Sequence, residues 1–181
     1  NLEAEQALIG SILVNNDVID EVSSFIKPII FYDPAHIKIY EVIENLNNKG
    51  MIANPITLKN FFEKDNMLSE VGGTEYLVKL TRFSASLKQA IDYARIIHEM
   101  YLRRELVMVS NKLSGDTLNA SSQEKNAEKI IEETEKSLYD LAERGTFSQS
   151  YLKFNHALDQ TIEMATLAMQ NDQGLVGVPT G

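Results

Sequence analysis

The chain has 181 residues, of which 44% are hydrophobic and 24% are charged, so it holds enough apolar material for a folded core and is not a disordered tail. The absence of cysteine excludes disulfide scaffolds, thiolate metal sites and cysteine nucleophiles, and it fits a reducing compartment. The chain has 26 acidic and 17 basic residues and a net charge of −9. Proteins that bind the phosphate backbone of nucleic acids over much of their surface carry a net positive charge, so this class is disfavoured.

The first segment predicts an amphipathic helix. Leu8, Ile12 and Leu13 recur at the spacing of one helical face. Glu3 and Glu5 lie at the N-terminal end of this segment, where the positive end of the helix dipole favours acidic residues. We therefore expect both glutamates to support the helix through its dipole.

Further short helices are predicted up to residue 85. Residues 15–17 break the first segment and can cap a second helix that reaches Phe25. Asp33-Pro34 has the pattern of an N-cap followed by a first-turn proline, and Gly50 is placed to end that helix. No alternating run of β-branched residues predicts a strand, so we expect a compact cluster of short helices. The remaining apolar positions of this cluster are Ile39, Ile43, Leu46, Leu58, Phe61, Phe62, Leu77 and Leu80.

Two long helices are predicted after this cluster. Ser86-x-x-Gln89 has the pattern of a capping box, and no glycine or proline follows it until Gly115. After a polar turn, a second uninterrupted segment runs to Gly145. Apolar residues on both segments step by four and three, which predicts an antiparallel hairpin whose apolar seam supports self-association. The alternative is a hairpin that folds back on the 1–85 cluster and leaves no apolar surface exposed. The predicted self-association residues are Leu102, Leu106, Val109, Leu113, Ile131, Leu138 and Leu141.

The C-terminal part predicts a helix without a partner. Residues 146–153 form a short linker, and a helix with one apolar stripe begins near Asn155. Because nothing after this helix could pair with it, we expect it to dock on a domain outside the chain. Its predicted docking residues are Leu158, Ile162, Ala165 and Met169.

The predicted organisation is all-α and has four parts. They are a helical globule at 1–98, the hairpin at 99–145, a linker and docking helix at 146–173, and a Gly-rich start of a further domain at 174–181. Position 1 is not methionine, and we expect a piece of a longer protein. No apolar run approaches about 18 residues and the first residues are not signal-like, so we expect neither a membrane span nor a signal peptide.

No catalytic constellation stands out in the sequence. The three histidines, at positions 36, 98 and 156, are scattered. An acidic group at Glu128, Glu132, Glu133 and Glu135 offers a metal-dependent enzyme as one alternative, but lysines three or four residues away favour a solvated helix face. Arg103-Arg104 is expected to be a surface pair. From the residues alone, the chain is predicted to be a helical interaction module, and a stand-alone adaptor remains an alternative.

Five short blocks occur in a characteristic order along the chain. They are Ala4-Glu5-Gln6-Ala7-Leu8-Ile9-Gly10, Phe31-Tyr32-Asp33-Pro34-Ala35-His36, Val71-Gly72-Gly73 with Tyr76-Leu77, Arg103-Arg104-Glu105-Leu106, and Gly177-Val178-Pro179-Thr180-Gly181. In this order they resemble the N-terminal region of the DnaB family of bacterial replicative DNA helicases, and the last block is similar to the start of its ATPase domain. Asn54 stands where the family often has aspartate.

The resemblance implies an assembly role. It implies a helical globule whose hairpin pairs into dimers, with three dimers forming a collar on a hexameric ring. It also implies that the linker helix docks on the motor of a neighbouring subunit. DnaG-type primase and a helicase loader are the partners it implies, in the cytoplasm of a bacterium and away from any membrane.

The chemistry that the resemblance implies belongs to another part of the parent protein. In the family, a RecA-like motor hydrolyses ATP with magnesium and moves 5′ to 3′ along single-stranded DNA. The present chain contains no Gly-x-x-x-x-Gly-Lys-Ser/Thr sequence. We therefore expect it to hold no catalytic residue, cofactor or metal, to contact single-stranded DNA only through the missing motor, and to be inactive by itself.

Overall fold

A computed structural model describes residues 1–62, 73–118 and 126–145. These three ranges are helical and contain no strand, which confirms the predicted all-α fold. The chain divides into two compact units, Asn1–Leu141 and Ala142–Gly181, and residues 142–145 are the described part of the second. The helices are α1 (Leu2–Val14), α2 (Asp17–Val22), α3 (Pro34–Asn48), α4 (Pro55–Phe62), α5 (Gly73–Thr81), α6 (Leu87–Leu118) and α7 (127–145), with a 3₁₀ turn at Pro28–Ile30 before α3.

The predicted ends of α3 are confirmed by their hydrogen bonds. The side chain of Asp33 accepts a hydrogen bond from the second helical N–H at 2.8 Å, as an N-cap does. At the other end Gly50 has a φ of +66°, which suits glycine. The N–H groups of Gly50 and Met51 donate at 2.9 Å to the carbonyls of Asn47 and Leu46, respectively. These two bonds form a Schellman motif, which ends the helix.

Side-chain caps also fix the starts of α4 and α6. The Oδ1 atom of Asn54 accepts hydrogen bonds from the N–H groups of Ile56 and Thr57, both at 2.9 Å, so asparagine serves as the cap here. At the start of α6, Ser86 and Gln89 exchange side-chain-to-backbone bonds of 3.2 and 3.4 Å. The predicted capping box is therefore present.

The core of the globule lies where α1 packs against α5 and α6. At Gly10 an added Cβ atom would overlap the carbonyl of Leu80, so α1 and α5 approach at backbone distance. Ser11 on the same turn accepts a hydrogen bond from the N–H of Ala85 at 2.9 Å. The completely buried apolar side chains of the globule include Leu8, Ile9, Ile12, Ile39, Ile43, Leu46, Leu58, Leu77 and Leu80.

Helix α6 belongs to the globule in its first half and to the hairpin in its second. Ala90, Ala94, Ile97 and Tyr101 are buried in the globule, whereas no residue of α6 after Tyr101 is buried. The predicted boundary at 98/99 therefore lies inside a single helix. The polar turn predicted to begin at Gly115 begins at least four residues too early, because α6 continues through Gly115 to Leu118. A single glycine costs a long helix only about 1 kcal/mol, so it does not end the helix.

The predicted helical hairpin is confirmed by contacts between α6 and α7. Lys112 and Glu133 form an ion pair at 3.6 Å across the two helices. A small cavity lies on the same seam and is lined by Val109 and Leu113 from α6 and by Thr134 and Ser137 from α7. Because the helices are joined by a short connection, their side-by-side contact makes them antiparallel.

Candidate functional site

Three of the seven predicted self-association residues are buried or partly buried inside the chain. Leu102 is partly buried against the core of the globule. Val109 is half-buried and lines the cavity at the hairpin seam. Leu141 is buried, as is Ile130, which was not among the predicted residues. These residues therefore hold the hairpin and its base together.

The other four predicted residues remain exposed. Leu106 is 48% and Leu113 is 38% exposed on α6, and Ile131 is 56% and Leu138 is 43% exposed on α7. Leu113 also contributes to the lining of the seam cavity. The members of each pair are seven residues apart, so each pair lies on one face of its helix. We call these four residues the hairpin stripe. The alternative of a hairpin folded back on the globule would have covered this stripe.

The hairpin exposes further large apolar side chains that the periodicity did not identify. Val107, Met108, Leu118 and Tyr139 are each more than half exposed. They were missed because the steps of four and three select one stripe per helix and ignore apolar residues beside it. An unusual density of large apolar residues on solvated helices is the signal that could have found them.

The predicted docking residues of the linker helix lie outside the described residues. Leu158, Ile162, Ala165 and Met169 all fall in the range 146–181, and His156 falls there too. Their role therefore stays a prediction.

A buried polar network joins three helices of the globule. The carboxylate of Glu5 on α1 lies 2.7 Å from Nδ1 of His36 on α3, and Nε2 of His36 lies 2.8 Å from the hydroxyl of Tyr76 on α5. Glu5 also accepts hydrogen bonds from the N–H groups of Tyr32 and Asp33, at 2.8 and 3.3 Å. Glu5 and His36 are almost completely buried. Glu5 does lie in the first turn of α1, as predicted, but it also has a buried role that the sequence did not predict.

The charge of Glu5 is stabilised by these partners. Burial by itself would raise the pKa of the carboxyl group, but the hydrogen bonds from His36, Tyr32 and Asp33 outweigh burial and lower it. Burial raises the pKa of the Tyr76 hydroxyl, and the charges of Asp33 and Glu5 add to that effect. The network therefore joins the ionised carboxylate of Glu5, through the imidazole of His36, to the un-ionised phenol of Tyr76.

The network fits a structural role better than a chemical one. Its carboxylate and imidazole have side-chain exposures of 1% and 0%, so a substrate could not reach them. Their hydrogen bonds instead fix α1, α3 and α5 to one another. The sequence did contain a signal, because Glu5, His36 and Tyr76 lie in three of the five sequence blocks.

The two adjacent arginines have different environments. Arg103 pairs with Glu99 at 2.8 Å on the exposed side of α6, which confirms a surface position. Arg104 instead donates a hydrogen bond of 2.6 Å to the carbonyl of Ile30. Its guanidinium also lies 5.5 and 5.9 Å from the ring centres of Tyr32 and Tyr101. The prediction of a surface pair is therefore wrong for Arg104, which joins α6 to the 3₁₀ turn.

The acidic group on α7 has the features of a solvated helix face. Glu128, Glu132 and Glu135 are exposed, and Glu133 is engaged by Lys112. Within the described ranges, no group of three or more His, Asp or Glu residues could hold a metal ion. No helix in the same ranges is both long and apolar enough to span a membrane.

Known sequences similar to this chain are those of replicative helicases. A family model described as the DnaB-like helicase N terminal domain matches residues 1–99. Over its whole length the chain is 38% identical to the replicative DNA helicase DnaB of Rickettsia bellii and 36% identical to that of Rickettsia conorii, and it covers 36% of each. It is 26% identical to the replicative DNA helicase DnaC of Bacillus subtilis, of which it covers 39%. The chain thus spans little more than a third of these curated relatives.

Solved structures share the fold. The N-terminal domain of the DnaB helicase from Mycobacterium tuberculosis superposes with a TM-score of 0.71 at 27% identity, over 77% of this chain and 96% of that one. A DnaB-like replicative helicase, whose structure was described with its interactions with primase, gives a TM-score of 0.62 at 22% identity. That match covers 86% of this chain and 35% of the other, and at such identity it shows the fold alone.

Proposed function

We propose that this chain, which belongs to the family of DnaB-like helicase N-terminal domains, is the assembly region of a replicative DNA helicase. The hairpin stripe is the observation that carries the proposal, because it leaves apolar surface on both helices after the hairpin itself has closed. Because the chain belongs to this family, the alternative function of a stand-alone adaptor unrelated to replication is disfavoured.

The hairpin stripe supplies the contact between subunits. Burying one leucine or isoleucine side chain contributes roughly 1.5–3 kcal/mol, so two or three such residues per subunit can support a weak to moderate dimer against the cost of association. A two-fold contact uses the same surface on both copies, which suits a single stripe on each hairpin. Three such dimers then form the collar of a hexamer.

Other partners are recruited to this collar. A DnaG-type primase is the first, as the resemblance to the DnaB family implies, and a DnaB-like helicase of the same fold has itself been described with its interactions with primase. A helicase loader acts on the same assembly. The linker helix docks on the motor of a neighbouring subunit through Leu158, Ile162, Ala165 and Met169.

The motor belongs to the remainder of a longer protein. The curated relatives are replicative DNA helicases of which this chain covers little more than a third. The parent protein unwinds duplex DNA 5′ to 3′ with ATP and magnesium, in the bacterial cytoplasm. The 181 residues lack the phosphate-binding sequence that such a motor needs, so this chain hydrolyses no ATP by itself.

Sedimentation equilibrium of the 181-residue chain from about 1 to 100 μM tests the proposal. We expect a mass that rises with concentration to a dimer or larger assembly. The double variant Ile131→Ser, Leu138→Ser is expected to remain monomeric while its far-UV circular dichroism stays that of the parent. Val14→Ser is the matched control, because Val14 is 62% exposed but lies at the end of α1. A parent chain that stays monomeric at about 100 μM would overturn hairpin pairing.

A further inference from the structure

Arg104 lies on α6 at the point where the helix leaves the globule. It is three positions beyond Tyr101, the last buried residue of α6, and four positions before Met108, which is 63% exposed. Its guanidinium donates a hydrogen bond of 2.6 Å to the carbonyl of Ile30. The same group lies 5.5 Å from the ring centre of Tyr32 and 5.9 Å from that of Tyr101. We call these contacts the Arg104 clamp, which joins the first turn of the hairpin to the globule.

The globule side of the Arg104 clamp is held by hydrogen bonds and burial. The N–H of Ile30 is hydrogen-bonded within the 3₁₀ turn, and both Ile30 and Phe31 are buried. The N–H of Tyr32 donates to the buried carboxylate of Glu5 at 2.8 Å. The backbone that carries the acceptor carbonyl and the Tyr32 ring is therefore a fixed part of the globule, against which the guanidinium can hold α6.

Two contacts hold α6 from nearly opposite sides at this level. Leu102 packs against the core of the globule. Arg104 is two positions later, which is about 160° away around the helix, and its contacts are with the 3₁₀ turn and the tyrosine rings. Packing at Leu102 alone would let α6 tilt away from it, and the clamp on the other side opposes that tilt. The neighbouring Arg103 pairs at 2.8 Å with Glu99 of α6 itself, a contact that cannot fix the helix relative to another element.

A small tilt at Arg104 would move the hairpin stripe by a large distance. Leu113 of the stripe lies nine positions further along α6, which is about 13.5 Å. Long helices bend, and a tilt of about 15° at Arg104 would displace Leu113 by about 3.5 Å. That displacement equals the separation of two carbon atoms in contact, so it would disrupt a packed apolar interface.

We propose that Arg104 is a positioning residue that sets the tilt of the hairpin relative to the globule. The buried residues of α6 end at Tyr101, and the clamp acts where the solvent-facing part of the helix begins. The consequence for assembly rests on the proposed function, because the tilt determines whether the hairpin stripe meets the stripe of a second copy. The tilt itself is a property of a single chain and can be measured without assembly.

Distances between two spin labels, measured by pulsed electron paramagnetic resonance on the 181-residue chain, test this inference. The chain has no cysteine, so Ser24→Cys and Ser114→Cys place one label on the globule and one on the hairpin, both at exposed positions. The labels are introduced together with Ile131→Ser and Leu138→Ser, which interrupt the hairpin stripe. Dilution into unlabelled chain removes distances between copies, so the tilt within one chain is measured whether or not chains pair.

Arg104→Met removes the guanidinium and keeps most of the aliphatic stem. It is expected to shift or widen the distribution of label distances by about 4 Å, the displacement of Ser114 for a tilt of about 15°. Tyr32→Ala removes one ring of the clamp at a position that is 63% exposed, and a smaller effect of the same kind is expected. Arg103→Met is the matched control and is expected to leave the distribution unchanged.

Far-UV circular dichroism checks that each variant is folded. Distributions for Arg104→Met and Tyr32→Ala that match the distribution for Arg103→Met would overturn the proposal. The same holds if Arg104→Met lowers the free energy of unfolding without changing the distribution, because the clamp would then contribute stability alone.

Sedimentation equilibrium of the chain with an intact hairpin stripe tests the consequence for assembly. Arg104→Met is expected to raise the Kd of the dimer by about tenfold, and Arg103→Met is expected to leave it unchanged. An Arg104→Met chain that tilts and still assembles as the parent does would overturn this consequence. If the parent itself stays monomeric, the proposed function fails, whereas the label distances still decide the role of Arg104.

Discussion

Substitutions of Glu5 and Glu3 distinguish the effect of a buried carboxylate from that of an exposed acidic residue in the first turn of a helix. Glu3 and Glu5 lie on the same turn of α1, but Glu3 is exposed and Glu5 is 1% exposed. Glu5→Ala leaves the His36 imidazole and two backbone N–H groups without their acceptor. Removing one member of a buried, hydrogen-bonded pair costs about 3–5 kcal/mol, whereas Glu3→Ala is expected to change the free energy of unfolding by less than about 0.5 kcal/mol.

Urea unfolding followed by far-UV circular dichroism measures both variants against the parent. Glu5→Gln keeps the shape of the side chain and is expected to lose about 1.5–3 kcal/mol, the contribution of a hydrogen bond to a charged group. Similar small losses for Glu5→Ala and Glu3→Ala would refute the argument that this network holds the helices together.

The same network gives stability a defined pH dependence. The pKa of folded Glu5 lies below its ordinary value of 4.5, so the charged carboxylate stabilises the fold above that pH. This contribution is lost as the pH falls through the lower, folded-state pKa. Below about pH 4.5 the parent is therefore expected to lose more stability than Glu5→Gln, measured by urea unfolding at each pH. An identical pH profile for parent and variant would contradict the lowered pKa.

Three further predictions follow from packing and charge. Gly10→Ala is expected to destabilise the fold by about 1–3 kcal/mol, because its Cβ would meet the carbonyl of Leu80. Gly115→Ala lies in open space within α6 and is expected to stabilise the fold by about 0.5–1 kcal/mol. Thermal unfolding of both variants measures the difference. Arg104→Ala is expected to cost about 1.5–3 kcal/mol in urea unfolding and Arg103→Ala less than about 0.5, and equal effects would argue against the contacts of Arg104. The chain, at net charge −9, is expected to show no binding of single-stranded DNA at physiological salt, and a micromolar dissociation constant by anisotropy would contradict this.

Local signals in the sequence predicted the helix ends well. Asp33, Gly50, Asn54 and Ser86 each act on backbone groups within a few residues of themselves, so their roles depend little on the rest of the fold. The burial of Glu5 depends on residues 27 to 31 positions away, and the network reaches a further 40 positions from His36 to α5. Such a pairing follows from tertiary packing, and a rule based on the helix dipole could not predict it.

The hairpin was predicted, but the division of its apolar residues was not. Heptad-like spacing places Leu102 and Leu106 on one stripe, yet the first packs on the globule and the second faces solvent. That difference arises because α6 leaves the globule between them. Spacing along one helix cannot show where a neighbouring element ends. The sequence therefore predicted the apolar stripe but not which of its residues are buried and which are exposed.

Because α6 runs without a break from the globule into the hairpin, the number of residues between them sets the direction in which the hairpin stripe faces. The 32 residues of α6 rise about 48 Å, and Tyr101, the last buried residue, is only five positions before Leu106. One residue inserted between them would advance the hairpin by about 1.5 Å and turn its stripe by about 100° relative to the globule. An insertion of seven residues would restore the direction to within about 20°. Insertions or deletions here can thus leave both parts folded while aiming the stripe away from its partner, so viable changes of length would come in steps of about one heptad.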